Sequence, residues 1–435
     1  MFKSQCCYDE GCLLRIKVLG AAREVGGSCV SVQTDQVKVA LDYGIKLDDV
    51  TDEYPKNFDA VIISHAHLDH TGSLVRLSKS RNNQVIMGSK MTRDITIELL
   101  KDMIKVQNLN GNAEAYDEQA ANKVREWWQP GENFALPGLA VNLYPGGHVA
   151  GANITCLHSE GKTVLYTGDF CIHDSEILEG CNLSLLPKEP DVLISESTYG
   201  GRVRPPRGDM IDKFLERVAA TMKERGNILV PTFAFHRSQE MARRIDQAIE
   251  NGTLPKYNAY TISKLAHKIN SHFNANKQLF TQEVQQQEQP FTYKHVENVE
   301  KTTDVQEPAI VICTAGFGHA GASLSLLAQW AESEDATVIL TSGYLPPDSP
   351  LKQAREKRFF KLEGEKIPVM AKIVQIELSG HADQTELIEL VTKLKPKKTL
   401  LVHGDIKEAE SLQQKISELT DVQIPEKNEE ISLRA

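Results

Sequence analysis

Up to about residue 200 the chain alternates short apolar runs with glycine, aspartate and asparagine: LRIKVLG, SCVSVQT, VKVALD, DAVIIS, QVIMG, VNLY, ANITCLHS, KTVLYTGD and DVLISES. Short runs rich in Val and Ile, bounded by turn formers, predict strands. Their number is enough for two packed sheets. From about 210 the period changes. MIDKFLERVAATMKERG carries apolar residues at helical spacing, and such stretches alternate with NILVP, AIVICT and ATVILTSG. That alternation predicts an inserted α/β unit on a parallel sheet. Residues 281 to 308, with the tract EVQQQEQP, keep neither period and read as a solvated excursion plus a weak strand or helix. After 368, KIVQIELSG and KKTLLVHGD, separated by the helix-like TELIELVTKL, return to the pattern of the first region.

Composition narrows the function classes. The 435 residues are 41% apolar and 25% charged, which is ordinary for a chain of two or three domains with real cores. A formal net charge of −10 argues against coating nucleic acid by bulk positive charge, because that mode scales with Lys and Arg contacts to phosphate. Any polyanion must be met locally. No run approaches the roughly 18 apolar residues of a spanning helix, and MFKSQCCYDEGC lacks an apolar leader segment. No membrane association and a cytoplasmic location are the expectations. Most of the eight cysteines stand alone in apolar surroundings and read as buried thiols. Cys6, Cys7 and Cys12 cluster without a second half of a ligand set.

The chemistry concentrates at SHAHLDH, residues 64 to 70, directly after the apolar AVII. His65 and His67, two apart in extended chain, point the same way from a strand end. Asp69 and His70 follow one step later, where TGSL looks like a helix start. Four donors of imidazole and carboxylate type suit zinc or a similar cation, two per centre, but cannot complete two sites alone. Further donors stand at other strand ends beside glycine: Gly-Gly-His148, Thr-Gly-Asp169 and Val-His403-Gly.

Together these residues resemble the metallo-β-lactamase fold, with its leading aspartate, HxHxDH cluster, later histidine, bridging aspartate and late histidine. VALDYG supplies Asp42 and LGAAREVGGSCV looks like the opening strands. By that resemblance His65, His67 and His148 hold one metal, and Asp69, His70 and His403 hold the other. Asp169 bridges them, and Asp42 orients a ligand by hydrogen bond. A more specific likeness is to the β-CASP nucleases, the branch that includes RNase J and the endonuclease of the cleavage and polyadenylation factor. It rests on ESTYGG from Glu196, SGHADQTEL with His381, and LVHGD with His403. DNA-cleaving members usually carry valine at the last position, so His403 favours RNA. VPTFAFHRSQE is similar to the family's strand-to-helix turn and points Arg237 toward substrate. Ser379 and His319 are the other expected substrate contacts. The Ser-Pro-Met-Ala, Ser-Gly-Met and Gly-Tyr-Gln signatures have drifted to NAYTISKLA, TAGFGHAG and SGYLPPDSP.

The resemblance implies an α/β fold: a metallo-β-lactamase αββα sandwich in residues 1–205 and 368–435, interrupted by a β-CASP α/β domain in 206–367, with the active cleft between them. Phosphodiester hydrolysis needs a nucleophile, charge neutralisation and a proton for the departing oxygen. Two Zn2+ ions, with Mn2+ also compatible, would meet the first two needs. His381, with Glu196 accepting its second ring hydrogen bond, is the candidate general acid. Asp69 serves both the metal and the catalytic set. The expected activity is ribonuclease, endonucleolytic, 5′–3′ exonucleolytic or both, on single-stranded RNA. A DNA nuclease and an ester or thioester hydrolase are the competing readings. A homodimer and a larger processing complex are both compatible with the sequence.

Overall fold

The structure, a computed structural model, describes residues 13–46, 54–79, 85–109 and 116–434. Cys6, Cys7 and Cys12 lie outside the described residues. The chain forms two compact units. One comprises residues up to Asp174 with Glu179–Arg204 and Gly380–Ala435, and the other Ser175–Leu178 with Pro205–Ser379.

The first unit is built on two seven-stranded sheets. In one, the strands Glu430–Arg434, Leu13–Gly20, Cys29–Gln33, Lys38–Leu41, Ala60–Ile62, Val85–Gly88 and Trp128–Pro130 lie in that order. The other runs Asp421–Gln423, Lys398–Val402, Val192–Glu196, Lys162–Tyr166, Asn153–Ser159, Leu139–Pro145 and Asn133–Leu136. Alternate residues of the two sheets meet in one core. Ile16, Val30, Leu41 and Ile62 pack with Val141, Leu157, Val164, Ile194 and Val402. Each such side chain contributes about 1.5–3 kcal/mol by leaving water. The outer face of the first sheet is covered by the helices Lys90–Leu109 and Glu118–Trp127 through Ile97, Leu100, Ile104 and Val124. Gln384–Leu394 and Ile406–Ile416 cover the other through Leu387, Leu390 and Leu412. The result is the αββα sandwich.

Pairing direction decides where the loops of interest fall. Lys38–Leu41 pairs in parallel with Ala60–Ile62, and Val192–Glu196 pairs in parallel with both Lys162–Tyr166 and Lys398–Val402. Parallel strands present their carboxyl ends at one edge, where α/β sheets place ligands. Within each sheet the segments beginning at Asp42 and Ser64, or at Thr167, Glu196 and His403, therefore emerge together.

The second unit holds a six-stranded sheet in the order Glu297–Asn298, Asn258–Ile262, Ala309–Cys313, Ile228–Pro231, Thr337–Leu340 and Lys372–Gln375, with every pair parallel. Helices Arg207–Lys223 and Arg237–Glu250 bury Phe214, Val218, Met241 and Ile245 with one face. Gly321–Trp330 and Pro350–Lys357 bury Leu326, Leu327, Trp330 and Leu351 with the other. Beneath the first helix pair lies a charged network. Arg207 contacts both Glu240 and Glu176, the latter at 2.9 Å, while Arg237 also contacts Glu240 and Arg244 stands 3.5 Å from Glu176.

Two expectations are corrected. The strand in KIVQIELSG does not return to the first unit. Lys372–Gln375 pairs with Thr337–Leu340 at the edge of the six-stranded sheet, and the second unit continues to Ser379 rather than ending at 367. A strand's own composition carries no record of its partner. Between the strands Val85–Gly88 and Trp128–Pro130 stand two helices in place of further strands, Lys90–Leu109 and Glu118–Trp127, and the apolar face of the first is interrupted by the buried Thr92, Asp94 and Thr96. The excursion 281–308 contains only a short helix, Gln282–Gln285, a 3-10 turn and the edge strand Glu297–Asn298.

Candidate metal centre

The centre starts at the strand Ala60–Ile62, buried along its length. Past its end, Ser64 donates from N and Oγ to Asp42 Oδ1 and Oδ2, both at 2.7 Å, which ties the HxHxDH segment to the neighbouring strand end. The helix begins at Leu68, so Asp69 and His70 lie inside it rather than before it. Backbone bonds clamp this turn: Ser28 N donates to Asp69 O, Tyr43 N to His70 O and Ile45 N to Leu68 O. Gly44 is confined here, since a Cβ would lie 1.8 Å from the Asp69 carbonyl oxygen.

The remaining donors arrive from the second sheet. Gly168, at φ +53°, brings Asp169 forward and leaves no room for a side chain, because a Cβ would meet that of Ser64 at 2.5 Å. His148 is fixed by Nδ1, 2.8 Å from the Gly380 carbonyl oxygen. His403, also left-handed at φ 48°, donates its backbone N–H to Ala21 O.

The distances among donors test whether an ion fits. His65 Nε2 stands 3.1 Å from His67 Nδ1, which is 3.2 Å from His148 Nε2. Asp169 Oδ2 closes the group at 3.5 Å from His65 and 3.7 Å from His148. Ligands about 2.0–2.1 Å from a tetrahedral zinc are separated by roughly 3.4 Å, so the four donors fit one ion. In the second group, His70 Nε2 lies 3.3 Å from Asp169 Oδ2 and 3.9 Å from Asp69 Oδ2, itself 3.3 Å from His403 Nε2. Asp169 borders both groups. Its Oδ1 is buried without a hydrogen bond although His403 Nδ1 stands 3.3 Å away, a cost that an ion would remove.

Protonation fits the same use. Burial pushes His65 and His148 well below their ordinary range and His67 down to about 4, leaving neutral imidazoles with lone pairs. Burial would also lower His70, but the carboxylates of Asp169, Asp42 and Asp69 raise it. Burial works to raise Asp69 and Asp169, and the surrounding histidines outweigh it and hold both carboxyls low. Asp42 sits behind the donors, its Oδ2 2.7 Å from His70 Nδ1 and accepting from the Tyr166 hydroxyl at 2.7 Å.

His381 precedes the helix Gln384–Leu394, whose start is capped by Asp383 and Glu386. Its Nδ1 lies 2.8 Å from Oε2 of the fully buried Glu196 and 3.9 Å from Asp169 Oδ2. Glu196 is oriented by Phe170 N, which donates to Oε1 at 2.9 Å. Burial would lower the His381 imidazole, but Glu196 and Asp169 override it and raise it to about 9.

The first unit thus brings together His65, His67, Asp69, His70, His148, Asp169, His403, Asp42, Glu196 and His381. Arg237, His319 and Ser379 belong to the second unit. There Arg237 is paired with Glu240, His319 Nε2 lies 3.3 Å from Asp348, and Ser379 is buried. Sequence reasoning missed Tyr166 and Thr198, whose hydroxyls reach Asp42 and His403. It also missed a cluster of Cys171, His173 and Glu386. Cys171 and His173 lie two apart in FCIHDS, but the contacts of Tyr166, Thr198 and Glu386 join segments far apart in the chain and leave no local signal.

Three family models match in succession: the metallo-beta-lactamase superfamily over residues 49–208, the Beta-Casp domain over 238–350, and the Zn-dependent metallo-hydrolase RNA specificity domain over 366–425. The chain is a metallo-β-lactamase protein carrying a β-CASP domain. This β-CASP protein is 29% identical to cleavage and polyadenylation specificity factor 73 of Drosophila melanogaster, with 93% of the chain matching 62% of that protein. It is also 29% identical to the probable RNase MJ4 of Methanocaldococcus jannaschii, covering 89% of the chain and 92% of the relative. Endoribonuclease ysh1 of Schizosaccharomyces pombe matches at 29% over 93% of the chain and 56% of its own length. The chain therefore spans less than two thirds of the length of two of these three relatives, 62% and 56%. A crystal structure of a protein of unknown function from Enterococcus faecalis shares the fold, with a TM-score of 0.58 at 14% identity over 97% of this chain and 100% of that one. Among the described residues no helix is long and apolar enough to cross a membrane.

Proposed function

We propose that this β-CASP protein is a zinc-dependent ribonuclease that hydrolyses phosphodiester bonds of single-stranded RNA, with two ions held by the seven donors. The observation that carries the reading is the His381–Glu196 pair, 2.8 Å apart and beside Asp169, the acid shared by both donor groups. The match to an RNA specificity domain and the ribonuclease names of the relatives support RNA as substrate. Divalent ions at this donor set would supply a nucleophile near neutral pH and offset the charge on the phosphoryl oxygens. His65, His67 and His148 would hold one ion, Asp69, His70 and His403 the other, with Asp169 common to both.

The chain's own contribution is orientation and a proton. Asp42 fixes the His70 ring through Nδ1. Glu196 engages Nδ1 of His381 and stabilises the imidazolium. As the bond from phosphorus to the departing oxygen breaks, His381 passes its Nε2 proton to that oxygen. A positioned acid of this kind contributes about 10²–10⁴ in rate.

The test offers zinc- or manganese-loaded protein one single-stranded sequence as RNA and as DNA, labelled at the end or internally. Cleavage of the RNA is expected, with internal fragments marking endonuclease action and 5′ nucleotides exonuclease action. Preference for DNA, or thioester hydrolysis without nuclease activity, overturns the reading. His67→Ala should lose metal and turnover together. His381→Ala should keep its metal and lose most turnover, and undiminished turnover would remove its acid role.

A further inference from the structure

The second unit carries an aromatic cluster that the chemistry above does not use. Phe233, Phe317 and Tyr344 stand in the three loops that follow Ile228–Pro231, Ala309–Cys313 and Thr337–Leu340, adjacent parallel strands of the six-stranded sheet. All three loops leave the carboxyl edge, where such sheets present ligands. Phe317 is the centre. Its ring meets Phe233 at 5.0 Å and 87° and Tyr344 at 6.2 Å and 81°. These edge-to-face contacts hold the rings at fixed angles.

Phe233 is 42% exposed and Tyr344 58%, the only aromatic side chains among the large apolar ones that the described residues leave open to solvent. That both flank one ring makes a surface of them. The loops are also built to hold it. A Cβ on Gly316 would lie 3.1 Å from both Cδ1 and N of Phe233, so the ring rests directly on that glycine's backbone. Ser349 Oγ donates to Phe317 O at 2.7 Å, and Ser342 Oγ donates to Tyr344 O at 2.8 Å. No large aliphatic side chain is exposed in these loops, whose exposed side chains besides the rings are His319, Ala320, Pro347 and Asp348, with Asp348 3.3 Å from His319. An apolar protein partner would meet little besides rings, whereas every nucleobase has a π-face that stacks on them.

We infer that Phe233, Phe317 and Tyr344 form a base-stacking platform for single-stranded RNA. The identity of the polymer rests on the ribonuclease reading; the platform itself does not. It recognises bases without reading their sequence, since stacking discriminates weakly among them.

The test measures binding of a short labelled oligoadenylate, and of the same ribose-phosphate backbone lacking its bases, to metal-loaded protein carrying His381→Ala to prevent cleavage. Adding Phe233→Leu or Tyr344→Ala should raise Kd for the oligoadenylate at least about fivefold, the low end of one stacked base. Affinity for the abasic chain should not change. Tyr344→Phe keeps the ring and should bind as the parent does. In the cleaving protein the same substitutions should raise KM while kcat holds. Leucine fills the apolar volume of Phe233, so a folding defect is separable by circular dichroism. Equal losses on the native and abasic chains, or none on either, overturn the platform and leave the ribonuclease reading intact. Absence of RNA binding and cleavage in the unsubstituted protein overturns both.

Discussion

Glu240→Gln tests the charged network under the first helix pair of the second unit. Glu240 is fully buried and contacts both Arg207 and Arg237. Burial would raise its carboxyl, but the two guanidiniums lower it to about 2 from the ordinary 4.5. That difference corresponds to about 3 kcal/mol of stability in the ionised state, consistent with the roughly 3–5 kcal/mol lost when one partner of a buried pair is removed. A depressed folded value means that the contribution is complete above 4.5 and disappears as pH falls toward 2. Glu176 works in the opposite sense. Burial and the neighbouring Glu240 raise it, so its contribution is present below 4.5 and is lost as pH rises through its folded value. Glu176→Gln should therefore cost less than Glu240→Gln at neutral pH. Hydrogen exchange of the strand Ala309–Cys313, in the core of the same unit, reads the effect directly. At pH 7 the Glu240 variant should lose about two orders of magnitude in protection. At pH 3 its deficit relative to the parent should shrink to less than half in free energy. A deficit below fivefold at pH 7, or one equal at both pH values, would refute the electrostatic account.

Three further outcomes concern the metal centre. Asp42→Asn keeps the size of the group facing His70 but removes its charge, and should weaken metal binding about 10- to 100-fold in a chelator competition. Gly44→Ala places a methyl against the Asp69 carbonyl at 1.8 Å and should lower bound metal per chain measured by plasma mass spectrometry; full occupancy would show that the turn can yield. Chelation should leave the far-ultraviolet circular dichroism intact, because the donor turn is clamped by backbone bonds from Ser28, Tyr43 and Ile45, while Tm falls with the lost binding energy. Loss of secondary structure on chelation would make the ion a folding element instead.

Much of this was legible in the sequence because strand ends and donor residues are local signals. SHAHLDH carries its spacing with it, and the glycines beside His148, Asp169 and His403 mark where the backbone approaches closely. The αββα layering followed from the strand runs joined to the resemblance. Pairing was not legible: Lys372–Gln375 and Lys398–Val402 read alike, yet one joins the six-stranded sheet and the other pairs with Val192–Glu196. The helix Lys90–Leu109 was hidden because Thr92, Asp94 and Thr96 are buried among its apolar positions, blurring the helical period. Tyr166 escaped for a different reason. Its hydroxyl matters only because the second sheet brings it to Asp42, and nothing in TVLYTGD announces that.

The charge of the chain constrains how the proposed RNA substrate could be held. A net charge of −10 leaves no general excess of Lys and Arg to trade for phosphate counterions. Asp42, Asp69, Asp169 and Glu196 add acidic groups at the centre itself, all but Asp69 fully buried, while burial keeps His65, His67 and His148 neutral. Positive potential for a polyanion must then come from the His381 imidazolium together with bound divalent ions, and attraction away from them from uncharged surfaces such as the rings of Phe233, Phe317 and Tyr344. Neither source releases many monovalent ions on binding. The slope of log K against log salt should therefore be shallower than about −3, the value expected for roughly four lysine or arginine contacts to a single strand. Affinity should instead fall steeply with chelator. A steep salt slope that persists without metal would mean that a basic surface holds the RNA, and the division of labour between ions and rings would be wrong.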